Sequence, residues 1–256
     1  MRGVREVAEE APIALVYNAS TYAVMMATPA DVEDFALGFS LTEGLVDSPA
    51  EIDAVEVVEA ELGVEARIWL APAIAARLAE RRRRIAGPTG CGLCGVESLE
   101  AAQRAQSPVA EPDFRMDAAA VMAATASLAA AQPLNAVTRA VHAAGFVGAD
   151  GRLVAAREDV GRHNALDKLV GALARQDVSG RAGAVVLTSR VSVEMVQKTA
   201  VLGAAYLIAV SAPTALALRT AAAAGITVVG IARGDGFEVF TRPERVAMNI
   251  RADPTP

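Results

Sequence analysis

The sequence predicts an α/β protein, with a layered α/β domain in its second half and a smaller α+β unit before it. Three observations carry this reading. From residue 140 onward, short runs rich in Val, Ile and Ala alternate with segments of helical periodicity, the rhythm of a layered α/β domain. The first 86 residues open instead on two strand-like runs around a short polar turn. Between the two parts lies Gly87-Pro88-Thr89-Gly90-Cys91-Gly92-Leu93-Cys94-Gly95, too dense in Gly and Pro for a regular element.

Each element follows in order. Ile13-Ala14-Leu15-Val16-Tyr17 and Tyr22-Ala23-Val24-Met25-Met26 flank Asn18-Ala19-Ser20-Thr21, which reads as a hairpin. Thr28 or Asp31 is placed to cap the next helix, along which Phe35, Leu37, Gly38 and Leu41 recur. Residues 52–58 and 66–70 read as strands and 72–80 as a helix. Beyond the glycine-rich crossing, 97–106 and 117–131 read as helices, separated by Ser107-Pro108 and Glu111-Pro112. A strand at 140–147, a turn at Ala149-Asp150-Gly151-Arg152 and a strand at 153–157 come next. The helix at 163–175 gathers Leu166, Leu169, Val170 and Leu173 on one face. Strands at 184–188, 205–210, 226–231 and 237–240 then alternate with helices at 193–202 and 214–224, the latter ending at Gly225. The chain thus divides into a small α+β domain at 1–86, a cysteine loop and connector at 87–112, and an α/β domain at 113–256. The last segment can return to the small domain.

Composition narrows the function. Hydrophobic residues make up 53% of the chain and aromatic ones only 4%, so its cores are built from Ala, Val and Leu rather than rings. With 24 basic and 30 acidic side chains the formal charge is -6, which argues against coating nucleic acid or an anionic membrane. Two cysteines exclude a disulfide scaffold, and two histidines exclude a three-histidine metal centre. No secretory apolar segment follows Met1. The long apolar stretches are broken by Gly203, Ser211, Pro213, Arg219 and Gly225, so they read as buried elements rather than a span of about 20 residues. The expectation is a cytoplasmic protein with no nucleic-acid or membrane partner.

Cys91 and Cys94 stand in C-x-x-C spacing in a chain with no other cysteine. That spacing suits metal ligation, dithiol exchange or carriage of sulfur as a persulfide, each of which needs a thiolate. Gly90, Gly92 and Gly95 remove bulk around both sulfurs. The plain alternative is a glycine loop with two incidental thiols. A zinc site would need Cys91, Cys94, His142 and His163 to converge, and the histidine-then-cysteine order of zinc deaminases is absent. No resident metal is therefore expected. A thioredoxin-like site would want a strand before the pair, where Arg81-Arg82-Arg83-Arg84 and the loop stand instead. That basic run can lower a thiol pKa or hold phosphates, or simply be a solvated helix end.

A second concentration of chemistry is Arg157-Glu158-Asp159-Val160-Gly161-Arg162-His163-Asn164-Ala165-Leu166-Asp167-Lys168, where a strand gives way to a helix, the ligand-binding end of an α/β unit. Gly161 can admit a phosphate or base close to the backbone, with Arg162 beside it. Asn164 and the helix N-terminus offer donors to an anion. His163 and Asp167 share a helix face. Helix capping with a surface ion pair is the structural alternative. Thr188-Ser189-Arg190-Val191-Ser192 repeats the strand-to-helix geometry, with Ser192 as N-cap and Arg190 able to fork onto a phosphate. Ser211-Ala212-Pro213-Thr214 repeats it again. Three such crossings on one sheet edge suit one large ligand. No G-x-G-x-x-G, Walker or G-x-S-x-G motif is present. His142, inside an apolar strand, reads as a core histidine.

These segments together resemble the FdhD/NarQ family of formate dehydrogenase accessory sulfurtransferases. The matching stretches are Phe35-Ala36-Leu37-Gly38-Phe39 with Leu41-Thr42-Glu43-Gly44, Cys91-Gly92-Leu93-Cys94-Gly95, Val141-His142-Ala143-Ala144, the run Arg157 to Lys168, Thr188 to Ser192 with Glu194-Met195-Val196-Gln197-Lys198, and Ser211 to Thr214. The long E-D-V-G-R-H-N-A-x-D-K run is specific in a way that C-x-x-C alone is not. One departure precedes His142, where Thr138-Arg139-Ala140-Val141 replaces an expected glycine-bearing pair. The resemblance implies a homodimeric persulfide carrier that takes sulfur from a cysteine desulfurase. It delivers that sulfur to the molybdenum bis-guanine-dinucleotide cofactor for formate dehydrogenase or a related molybdoenzyme. It implies a larger three-layer, cytidine-deaminase-like domain without the zinc chemistry. Cys91 and Cys94 would bear the sulfur. Gly161, Arg162, His163, Asn164, Asp167, Ser189, Arg190, Ser192, Ser211 and Thr214 would face the guanine-nucleotide part of the cofactor. The competing readings are a cofactor-binding chaperone that moves no sulfur and a C-x-x-C thiol oxidoreductase.

Overall fold

The computed structural model describes residues 5–84, 107–234 and 236–247. The architecture is mixed α/β, with a β-rich amino-terminal part. The chain forms two compact units. The first joins Met1–Gln106 to Gln132–Ala144 and Arg157–Ser179; the second takes Ser107–Ala131, Gly145–Ala156 and Gly180–Pro256.

The first unit begins with strands β1 (Ala11–Tyr17) and β2 (Ser20–Ala27), paired antiparallel as the hairpin pattern predicts. The turn is tighter than the sequence suggests. Asn18 and Ala19 alone connect the strands, at φ 44° and 64°, the left-handed pair of a two-residue hairpin. The Asn18 side chain is tied to the Leu70 backbone, donating to its carbonyl at 3.0 Å and accepting its N–H at 2.7 Å, which offsets the strained turn. Strands β3 (Ile52–Ala60) and β4 (Gly63–Leu70) complete a four-stranded sheet in the order β2-β1-β4-β3, with β1 and β4 parallel. Alternation places Ile13, Leu15 and Tyr17 of β1 and Ala66, Ile68 and Leu70 of β4 on one face. There they meet Phe35 and Phe39 of helix α1 (Val32–Thr42). Full burial of each such large apolar side chain stabilises by about 1.5–3 kcal/mol. Helix α2 (Pro72–Arg84) follows.

Neither Thr28 nor Asp31 caps α1 as expected. Asp31 occupies the N-cap position in a left-handed conformation and its side chain accepts no cap hydrogen bond, while Thr28 is drawn into a tertiary network described below. Helix α5 (Arg162–Arg175) crosses α1 at two glycines. A Cβ on Gly38 would stand 1.7 Å from the Asp167 carbonyl oxygen, and one on Gly171 1.9 Å from that of Asp34. The two backbones touch there, which only glycine allows. A short helix the sequence pattern does not reveal, α4 (Pro133–Thr138), also belongs to this unit.

In the second unit, strand β5 (Met116–Asp117) leads into helix α3 (Ala118–Ala130), which is capped by the Asp117 carboxylate accepting the Ala120 N–H at 2.8 Å. The six-stranded sheet runs in the order β11-β10-β9-β8-β6-β7. Its strands are β6 (His142–Val147), β7 (Leu153–Asp159), β8 (Ala184–Leu187), β9 (Tyr206–Ala209), β10 (Thr227–Arg233) and β11 (Gly236–Val239). The division between units passes through β6 and β7. Strands β8, β9 and β10 are parallel, and their continuous apolar character fits burial on both faces. Helices α6 (Val193–Leu202) and α7 (Ala215–Ala224) connect them, and Gly225 ends α7 at φ 71° as its place in the sequence predicts. Strand β12 (Val246–Ala247) pairs with β5. Among the described residues, no helix is long and apolar enough to cross a membrane.

Candidate functional site

Cys91 and Cys94 lie outside the described residues, as do the predicted helix at 97–106 and the side chains of Arg81 to Arg84. The described candidate residues fall into two groups, one in each unit.

In the first unit, β7 ends at Asp159 and α5 begins at Arg162, so the expected strand-to-helix crossing is a two-residue turn of Val160 and Gly161. Asp159 organises it. One carboxylate oxygen accepts the Gly161 N–H at 2.7 Å and the Asn164 amide at 3.0 Å. The other accepts the Thr28 N–H at 3.0 Å and pairs with Lys168 Nζ at 2.6 Å, and both side chains are wholly buried. Lys168 also donates to the Thr28 carbonyl at 2.8 Å, and the Val160 N–H donates to the Thr28 hydroxyl at 3.1 Å. Asn164 donates again to the Met26 carbonyl at 2.8 Å. Gly161 is required by packing, since a Cβ there would lie 2.8 Å from the Asn164 amide nitrogen.

Asn164 and Asp167 therefore sit inside the framework rather than on an open face. Asp167 is 1% exposed and accepts the Thr42 hydroxyl at 2.6 Å. The outer part of the turn is Arg162 and His163, both half-buried. The Nε of Arg162 is buried without a hydrogen-bond partner among the described residues. A buried guanidinium N–H left in this way calls for an acceptor. Half-buried His142, the first residue of β6 rather than a core histidine, is held below the ordinary imidazole pKa, chiefly by burial and secondarily by the charge of Arg162. The His142 imidazole thus stands near the Arg162 guanidinium, whose Nε has no acceptor among the described residues. Glu158 faces elsewhere, accepting the Leu134 and Asn135 N–H groups at 2.8 Å each at the start of α4.

In the second unit, the loops after β8 and β9 lie side by side at the carboxyl ends of adjacent parallel strands, the usual ligand edge of such sheets. Val191 and Pro213 form a parallel bridge, the Val191 N–H donates to the Ala212 carbonyl at 3.3 Å, and the Thr214 N–H donates to the Val191 carbonyl at 3.0 Å. Ser189, Arg190, Ser192, Ser211 and Thr214 are thereby brought onto one rim. Thr214 caps α7, accepting the Ala217 N–H at 3.3 Å. Ser189 is buried and donates to the Arg190 carbonyl at 3.0 Å, and Arg190 is exposed. Ser192 corrects the expectation of a capping side chain: it occupies the N-cap position of α6, yet its hydroxyl makes no cap bond and is buried without a partner among the described residues.

The sequence reading missed Thr28, Asp159 and Lys168 as site-forming residues. Asp159 and Lys168 were visible inside the polar run, and what local pattern could not supply was their shared partner at Thr28. It also missed Ile231, whose N–H donates to the Ser211 carbonyl at 3.2 Å while its backbone is held at φ 54°. A β-branched residue in that region is strained, and strain of this kind gathers at ligand sites.

The geometry defines an α/β protein with a polar strand-to-helix turn in one unit and a polar sheet rim in the other, in a chain whose sequence also carries one cysteine pair. The FdhD/NarQ family model matches residues 8–247, and the chain belongs to that family of sulfur carriers, sulfurtransferases tied to the maturation of formate dehydrogenase. The chain is 53% identical over 246 residues to the sulfur carrier protein FdhD of Agrobacterium fabrum, covering 96% of this chain and 91% of that protein. It is 51% identical over 242 residues to the sulfur carrier protein FdhD of Cupriavidus necator, covering 94% of this chain and 83% of that protein. A crystal structure from Desulfotalea psychrophila, described as a formate dehydrogenase accessory protein, superposes with a TM-score of 0.75 at 26% identity, over 95% of this chain and 91% of that one.

Proposed function

We propose that this chain accepts sulfur from a cysteine desulfurase on Cys91 and passes it to the molybdenum bis-guanine-dinucleotide cofactor destined for formate dehydrogenase or a related molybdoenzyme. The observation that carries the reading is the 53% identity to a sulfur carrier over 96% of the chain, in a sequence whose cysteines are the single pair Cys91 and Cys94. In the loading step the Cys91 thiolate attacks the terminal sulfur of the donor's cysteine persulfide. The S–S bond of the donor breaks, its cysteine leaves as a thiolate, and a persulfide forms on Cys91. Cys94 assists as the second thiol.

The cofactor is the substrate, and the residues of each polar group are assigned to its guanine-nucleotide part. Arg162 supplies a guanidinium donor and Gly161 the close backbone approach, with His163 beside them, Asn164 holding the turn through Asp159 and Asp167 anchored on Thr42. Arg190, Ser189, Ser192, Ser211 and Thr214 supply the second group. The Nε of Arg162 and the hydroxyl of Ser192, buried and without a partner among the described residues, support this assignment. The protein acts in the cytoplasm as a homodimer. The α/β domain is cytidine-deaminase-like, a reading supported by its parallel strands alternating with helices.

Intact-protein mass spectrometry after incubation with a cysteine desulfurase and cysteine tests the sulfur step. A gain of about 32 Da, reversed by reducing thiol, is expected for the wild type and lost in Cys91→Ala. No gain on the wild type, or an undiminished gain on the variant, would reject the assignment. Titration with guanosine and adenosine diphosphates tests the ligand, with tighter guanosine diphosphate binding expected and equal or absent binding of both rejecting it.

A further inference from the structure

We propose that the buried Asp159–Lys168 ion pair, keyed through Thr28, is the positioning element of the ligand turn: it fixes where Arg162 and His163 stand and thereby sets the affinity for a guanine nucleoside diphosphate. This rests on the reading of Gly161 to His163 as a nucleotide contact. Asp159 and Lys168 themselves touch no ligand, because both are fully buried.

The geometry is that of a bolt. A helix start is ordinarily fixed by a side-chain cap, and α5 has none, because Gly161 is its N-cap. The Asp159 carboxylate takes that role instead, spanning to the Gly161 N–H at 2.7 Å and to Asn164 in the first turn at 3.0 Å. Those bonds alone would leave the turn free to swing with the end of β7. Lys168, almost two helical turns along α5, pins the same carboxylate at 2.6 Å. The Thr28 carbonyl, N–H and hydroxyl hold Lys168, Asp159 and Val160 in turn. Two segments far apart in sequence, the run from Asp159 to Lys168 and the backbone at Thr28, therefore meet on one carboxylate, next to the backbone that carries Arg162. A pair whose burden were only stability is often replaceable by apolar side chains of like volume. Here the polar atoms bond the backbone of the turn and of Thr28, so an apolar replacement would fill the volume and release the turn.

Two histidines make the test direct, since ring-labelled protein gives one signal each for His142 and His163. Lys168→Met and Thr28→Val are compared with Arg245→Met, which breaks a buried arginine's ion pair with Glu111 in the other unit. The proposal expects both turn variants, while still folded, to shift the His163 and His142 ring signals in the free protein and to weaken guanosine diphosphate binding by roughly tenfold or more. Arg245→Met is expected to lower thermal stability while leaving both signals and the affinity in place. Where Lys168→Met does not fold, Thr28→Val decides, since it removes only one hydroxyl. Ring signals and affinity no more altered than in Arg245→Met would overturn the proposal. Absence of guanosine diphosphate binding in the wild type would instead reject the nucleotide reading, and the ring signals would still decide whether the pair positions the turn.

Discussion

The two units begin their helices by different means. In the second unit, Asp117 and Thr214 cap α3 and α7 with their own side chains, each bonding the N–H three residues ahead. In the first unit, none of α1, α4 and α5 has a side-chain cap. Glu158 reaches the start of α4 from more than 20 residues away, and Asp159 with Lys168 and Thr28 secures the start of α5. Local caps act independently of one another. A tertiary network makes a helix start depend on a segment distant in sequence, and that dependence fixes the turn before the helix. Ser192 is the exception in the second unit: at the candidate rim its N-cap hydroxyl makes no cap bond and has no partner among the described residues.

The sharpest way to break this comparison is to remove the buried basic member of one charge pair in each unit. Lys168→Met leaves the Asp159 carboxylate buried without its counter-charge, and a loss of about 3–5 kcal/mol is expected in chemical denaturation. Arg245→Met should lose less, because Glu111, whose side chain is 71% exposed and whose carboxyl is held below its ordinary pKa chiefly by its hydrogen bond to Arg245, can return to water. Equal losses would mean that the two networks do not differ in kind.

Gly171→Ala asks the same question of the α1–α5 crossing. The new methyl meets the Asp34 carbonyl, which cannot move without the helix, so a loss of about 1–3 kcal/mol is expected by the same measurement. Thr214→Ala removes a local cap and should cost about 1 kcal/mol, with guanosine diphosphate affinity tested alongside. A much larger loss would show that the second unit's caps are coupled after all.

The smallest effect is electrostatic. The His142 imidazole is held below its ordinary pKa in the folded chain. The unfolded state therefore binds its proton more readily. The stability associated with neutral His142 is complete above the unfolded pKa of about 6.5 and is lost as pH falls through the lower folded value. Arg162→Gln removes the positive neighbour and should move the His142 titration upward in ring NMR. An unchanged titration would mean that burial alone sets it.

Much of the element pattern was legible in the sequence. The hairpin, the helix at 193–202, the α5 helix with its Leu face and the Gly225 stop all follow from periodicity of 2 or 3.6 and from turn chemistry, which are local properties. The helix α4 was not legible, because it is six residues long and owes its start to Glu158. Its end was marked by the departure before His142. Arg139 adopts the left-handed C-cap at φ 56°, a place where glycine is ordinarily favoured.

The sequence by itself determined the chemistry available to this protein: one cysteine pair, two histidines, and a polar run from Arg157 to Lys168 at a strand-to-helix crossing. It also determined the family, because that run is long enough to be specific. The tertiary structure decided which of those polar residues are framework and which keep polar atoms unpaired among the described residues. Asp159, Asn164, Asp167 and Lys168 turn inward to Thr28, Met26 and Thr42, while the Arg162 Nε has no acceptor among the described residues. The reason is physical. A side chain's direction follows from its place on a strand or helix, but whether it is satisfied depends on an acceptor or donor more than 120 residues away, and no local pattern encodes that partner.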